Sequence, residues 1–157
     1  MIKNTTRYRK RTYLIHEKII QYINDSPGIR YRELLKINDL SSSSLSYHLK
    51  LLIDSKRINV YRSNDRVTRF FSPDVSISYY NLIGLLRQYT CRKIVLYILK
   101  YEPCRFKDIV KYIHKAPSTI AWHLSRLIDT NIIKMYIQND IKYYKIKINK
   151  PKLRNLL

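Results

Sequence analysis

Apolar residues recur at helical spacing over Tyr13–Asp25, where Ile19, Tyr22 and Ile23 share a side, and again over Cys91–Tyr101, where Ile94, Tyr97 and Ile98 do so. Pro27-Gly28 stops the first pattern and Pro103 the second, since neither can continue a helix. A short amphipathic stretch follows each, Tyr31–Ile37 and Phe106–Ile113. A third helix then opens on the serine cluster before Leu45 or on Pro117-Ser118-Thr119, both good helix-start chemistry. Beyond it the spacing turns to strands around a polar turn: Ile58–Arg62, Ser63-Asn64-Asp65-Arg66 and Val67–Phe71, then Ile133–Ile137, Gln138-Asn139-Asp140 and Ile141–Ile148.

The two patterns are one pattern repeated. With an offset of 75 residues, from His48 to His123, the run Ser43–Asp54 falls on Ser118–Asp129 without a gap, and Arg30–Lys36 falls on Arg105–Lys111. Tyr61, Asn64 and Asp65 likewise meet Tyr136, Asn139 and Asp140. A helical solenoid needs more copies and no hairpins, and about fifty ungapped positions are too many for coincidence in a single α+β domain. Three helices followed by a hairpin describe a winged helix. The expected fold is therefore α+β, mostly α: two tandem winged helix-turn-helix domains, each with three helices and a β-hairpin wing, joined by a helical linker. The expected boundaries are a basic N-terminal arm at 1–12, the first domain at 13–72, the linker at 73–90, the second domain at 91–149 and a short tail at 150–157. The linker is too apolar for a loose spacer.

Charge narrows the partner. Lys and Arg number 31 against 11 Asp and Glu, a net charge of +20, with a pI near 10.1. The excess is divided almost evenly between residues 1–72 and 73–157, whereas a protein lying on a membrane concentrates its charge in one helix or patch. Nucleic acid is the expected partner. The longest apolar run in the helical regions, Ile94–Leu99, is far too short to span a bilayer, and the basic start lacks the apolar core of a signal peptide. A cytoplasmic, nucleoid-associated protein without membrane attachment is expected. Cys91 and Cys104 have no CxxC spacing and read as small buried hydrophobes, so no disulfide, metal or other cofactor is expected. With no glycine-rich phosphate loop, no carboxylate pair in a recognisable setting and no nucleophile beside a base, the chain does not read as an enzyme.

At about 100° per residue, Leu45, Leu49, Leu52 and Ile53 line the inner side of one third helix, and Ile120, Leu124, Leu127 and Ile128 that of the other. The outer sides carry Ser43, Ser44, Ser46, Tyr47 and Lys50, and Ser118, Thr119, Trp122, Ser125 and Arg126. Hydroxyls, cations and an aromatic face suit a DNA groove, where they reach phosphates, base edges and thymine methyls. His48 and His123 lie on the shoulder of each apolar stripe, placed for packing or a phosphate. In the wings, Arg62, Arg66, Arg69 and Lys142 are candidates for the backbone or the minor groove, with Arg57, Lys134 and Lys145 beside them. Arg9 and Arg11 extend the set as a flexible arm.

The runs Ser44–Leu52 and Ala116–Leu127 resemble the recognition helices of archaeal tandem winged helix-turn-helix regulators related to the ArsR-like group, a likeness that covers roughly residues 13–148. The resemblance implies double-stranded DNA as ligand and transcriptional control as role. The chain lacks the cysteine pair of the metal-sensing members, which argues against metal sensing. On this reading the short C-terminus leaves no longer effector segment, and a homodimer would form through the linker helix or the C-terminus. The second reading is a winged-helix protein-interaction module of a basal transcription or other multiprotein complex.

Overall fold

The computed structural model describes residues 2–62 and 66–156, so the first wing's turn, Ser63–Asp65, lies outside the described residues. It divides into two compact units, 1–80 and 81–157. The chain is a mostly helical α+β protein with two small antiparallel sheets.

In the first unit, α1 (Ile2–Asp25) leads to β1 (Ile29–Arg30), α2 (Tyr31–Ile37), α3 (Ser42–Asp54), β2 (Asn59–Arg62) and β3 (Thr68–Phe71), then a 3-10 turn at Ile77–Tyr79. The strand order is β1-β3-β2. Ile19, Ile23, Leu34, Leu45, Leu49, Leu52, Ile58 and Phe70 form one buried core. The basic stretch 1–12 is not an arm: residues 2–25 form one continuous helix, and the exposed Arg9 and Arg11 lie on its surface.

In the second unit, after α4 (Tyr80–Leu86), whose first residue belongs to the first unit, come α5 (Tyr89–Tyr101), β4 (Cys104–Arg105), α6 (Phe106–Ile113), α7 (Pro117–Asp129), β5 (Ile133–Gln138), β6 (Ile141–Ile146) and α8 (Lys150–Leu156). The strand order is β4-β6-β5. Ile94, Ile98, Ile109, Ile120, Leu124, Leu127 and Ile133 are buried here at the repeat positions of Ile19, Ile23, Leu34, Leu45, Leu49, Leu52 and Ile58. At the tip of the second wing Asn139 and Asp140 both adopt positive φ, 49° and 59°, the backbone that a tight two-residue hairpin demands. The segment 150–157 is helical through Leu156, with Leu153 fully buried.

The helix starts repeat too. The Glu33 carboxylate reaches back to accept from the Arg30 backbone N–H at 2.7 Å. Asp108 does the same for Arg105 at 3.3 Å. Each satisfies a donor that the first turn of α2 or α6 leaves without a partner in the helix.

Candidate nucleic-acid interface

Each third helix is held by its apolar side, and its other side meets solvent. Ser41 caps α3 by accepting from the Ser44 N–H at 3.2 Å. Pro117 opens α7 at a position where its missing N–H costs nothing. Ser43, Ser46, Tyr47 and Lys50 are exposed on α3, as are Ser118, Trp122 and Ser125 on α7, while Ser44 and Thr119 are half-buried. Tyr47 and Trp122 occupy the same repeat position and are 52% and 55% exposed.

Not every outer residue is unengaged. The Tyr31 hydroxyl on α2 donates to the Ser42 carbonyl at 2.8 Å and lies 2.8 and 3.0 Å from the hydroxyl oxygens of Ser42 and Ser46. This polar clasp ties α2 to the start of α3. Arg126 is half-buried, with its guanidinium 4.6 Å from the centre of the Trp122 ring and Nη1 donating to Gln88 Oε1 at 3.1 Å. Its repeat counterpart is Leu51, a position on the shoulder of the helix rather than its outer crest.

Both shoulder histidines face inward, 6% and 9% exposed. His48 Nδ1 lies 3.2 Å from His16 Nε2, and His123 Nδ1 lies 3.2 Å from Cys91 Sγ. His16 and Cys91 stand at one repeat position on α1 and α5, so each pair links the first helix of its unit to the third. Burial lowers the pKa of His48, and of His16, where the neighbouring imidazole adds to the effect. Burial lowers His123 as well, with help from Arg126, and pushes the Cys91 thiol up to about 11. The sequence reading gave these histidines no partner. The signal was present in an equal spacing of 32 residues within each copy. Both cysteines are free and buried, and the described residues contain no cluster of three or more side chains suited to a metal.

The wings divide. Arg62, Arg66 and Lys142 are exposed. Arg69 is not a wing contact: it is 4% exposed and its Nη1 donates to the Gly28 carbonyl at 2.9 Å. The strand that carries it, β3, is the middle strand of its sheet, and Arg69 pairs in register with both Arg30 and Tyr61. Arg57 is held by Glu17 at 2.6 Å.

Residues 91–134, which run from α5 through α7 to the first residues of the second wing, match the family described as bacterial regulatory protein, arsR family. The matched segment contains Cys91, Trp122, His123 and Arg126. Over 128 residues, 81% of its length, the chain is 29% identical to an uncharacterised HTH-type transcriptional regulator of Methanocaldococcus jannaschii, of which the match spans 32%. Among solved structures, HlyU from Vibrio cholerae aligns with a TM-score of 0.48 and 12% identity, over 54% of this chain and 92% of that one. A homodimeric winged helix-turn-helix DNA-binding domain from Mycobacterium bovis, described as a possible ArsR-family transcriptional regulator, aligns at 0.45 and 12%, over 54% and 82%. No helix among the described residues is long and apolar enough to cross a membrane.

Proposed function

We propose that the chain is a sequence-specific regulator of transcription that binds double-stranded DNA through two tandem winged helix-turn-helix domains. In this reading α3 and α7 enter major grooves, and the wings lie on the backbone or in the minor groove. The observation that carries it is the pair of exposed faces on the third helices, where Ser43, Tyr47 and Lys50 stand at the repeat positions of Ser118, Trp122 and Ser125. The net charge of +20 supplies the complementary field. Ser44, Ser46, Thr119 and Arg126 flank these faces, and Arg126 would reach a base only by leaving Gln88. Arg62, Arg66, Lys142, Arg9 and Arg11 supply exposed cations for phosphates. The protein acts on the nucleoid without metal or cofactor. A homodimer through the linker helix or the C-terminus belongs to the same reading.

A protein-interaction module is the second reading, favoured by the exposed Tyr89, Leu96, Tyr101 and Tyr112 on α5 and α6. Duplex titrations over a range of salt separate the two. For about 6 to 10 phosphate contacts, affinity falls by roughly 10³ to 10⁵ between about 50 and 200 mM salt. Replacing Tyr47 and Trp122 together by alanine narrows the preference for the chosen site over a scrambled duplex while the fold stays intact. An absence of duplex binding at low salt leaves the protein-interaction reading in possession.

A further inference from the structure

The two hairpins are built on equivalent rungs and filled differently. Ile29 pairs with Phe70 as Cys104 pairs with Tyr144, so the offset of 75 before the wing becomes 74 after it. On the next rung Asn59 stands opposite Phe71 in the first unit, and Lys134 stands opposite Lys145 in the second.

In the first unit an aromatic ring covers this rung. Tyr80 stacks on Phe71 at 3.8 Å between centroids and 7° between planes. It meets Tyr61 edge-on at 5.5 Å, and its hydroxyl accepts from Asn59 Nδ2 at 3.0 Å. Tyr80 is only 3% exposed. In the second unit Tyr136 stands where Tyr61 does, and the same face opens into a cavity of about 560 Å³ lined by Glu102, Lys134, Tyr136, Lys145, Lys147 and Lys150 among others. The cavity is open to solvent and its lining is more polar than apolar, which suits a charged ligand.

The charges in the cavity do not balance. Glu102 is the one acid of the lining, and it already accepts from the Ile146 N–H at 2.6 Å and pairs with Lys150. Lys147 donates to Asn131. The Lys145 ammonium sits 5.2 Å from the centre of the Tyr136 ring, and no carboxylate of the lining remains for the Lys134–Lys145 rung. Like charges directly opposite on a ladder destabilise it. An anion bound between them reverses the sign.

We propose that this cavity binds a nucleoside phosphate. The base takes the volume that Tyr80 fills in the first unit, edge-on to Tyr136, and the phosphates bridge Lys134 and Lys145. The inference is independent of the DNA reading, because a duplex backbone offers phosphate but no free base to fill the cavity.

The test is calorimetric titration of the full chain, at physiological salt and without divalent metal, with ATP, inorganic triphosphate and adenosine as probes. ATP binds saturably and at least about tenfold tighter than either of the other two. The K134Q/K145Q chain loses about tenfold or more in ATP affinity, and K134R/K145R keeps most of it. K134Q/K145Q melts no lower than the natural chain, since it loses a repulsive pair, and K134Q alone, at an exposed position, moves affinity in the same direction. Triphosphate binding as tightly as ATP would overturn the proposal by reducing the cavity to a basic patch. ATP affinity unchanged in K134Q/K145Q would overturn it by placing the binding elsewhere.

Discussion

In the first unit the imidazoles of His16 and His48 meet at 3.2 Å. In the second, at the same repeat positions, the Cys91 thiol meets the His123 imidazole at the same distance. The Tyr31 clasp on Ser46 has Phe106 and Ala121 in its place, an apolar pair at both positions. Beneath these differences the apolar core repeats almost residue for residue. The contrast shows that buried aliphatic positions tolerate separate drift among similar shapes, whereas a polar atom near the core survives only with its partner. The imidazole of His48 and His123 is kept while its partner changes from histidine to cysteine, whereas the Tyr31–Ser46 pair is replaced on both sides.

The largest expected effect probes what the units share. Leu49→Ala and Leu124→Ala each cost about 2 to 5 kcal/mol of stability in thermal melting, because both remove a buried side chain from the third helix of its unit. A cost confined to one of them would break the equivalence of the two cores.

Next come two of the first wing's arginines, Arg62 and Arg69. Arg69→Ala leaves the Gly28 carbonyl without that donor inside the fold and lowers stability by about 1 to 3 kcal/mol. Arg62→Ala, at an exposed position, changes stability by no more than about 0.5 kcal/mol. In DNA titrations the ranking reverses: Arg62→Ala lowers the salt slope by about one and weakens all sequences alike. Melting curves and salt titrations on the same two proteins check both halves.

A smaller effect belongs to the second unit alone. A double-mutant cycle on Trp122 and Arg126 gives a stabilising coupling of about 0.5 to 1 kcal/mol, the range for a cation over a solvent-exposed ring. The cycle has no counterpart in the first unit, where Tyr47 and Leu51 hold the same positions.

The smallest effect concerns acid. Folded His16 and His48 take up protons at lower pH than their ordinary value of 6.5, so the unfolded chain binds more protons as the solution becomes acidic. Their contribution is complete above about pH 6.5 and is lost as the pH falls toward the lowered values of the folded pair. His16→Cys copies the second unit's pair into the first and flattens this dependence. Cys91→His does the reverse in the second unit. Amide exchange of α3 and α7 between neutral and mildly acidic pH reads each unit separately.

Most of the helical framework was legible in the chain, since Tyr31–Ile37 and Phe106–Ile113 carry their own apolar period and stop signals. The strands β1 and β4 were not, because two residues are too few to show alternation. Missing β1 hid the fate of Arg69, which reads as an outer wing residue until its strand acquires a neighbour on each side. The N-terminal turns of α1 carry cations without an apolar stripe, so nothing local distinguishes them from an arm. On the third helices, outward and inward faces follow from period alone. The attachment of Arg126 to Gln88 depends on the start of a different helix, and no local spacing encodes it.

The hydroxyl clasp also limits modular exchange. Transplanting the outer face of α7 onto the first unit would set Ala121's methyl where Ser46 stands and strip Tyr31 of one of its oxygen neighbours, leaving the Ser42 contacts to hold the turn. Pro117 at the position of Ser42 would remove a further hydroxyl. A working chimera must carry phenylalanine at position 31 along with the helix. In this fold the third helix and the residue that supports it can be exchanged only as one unit.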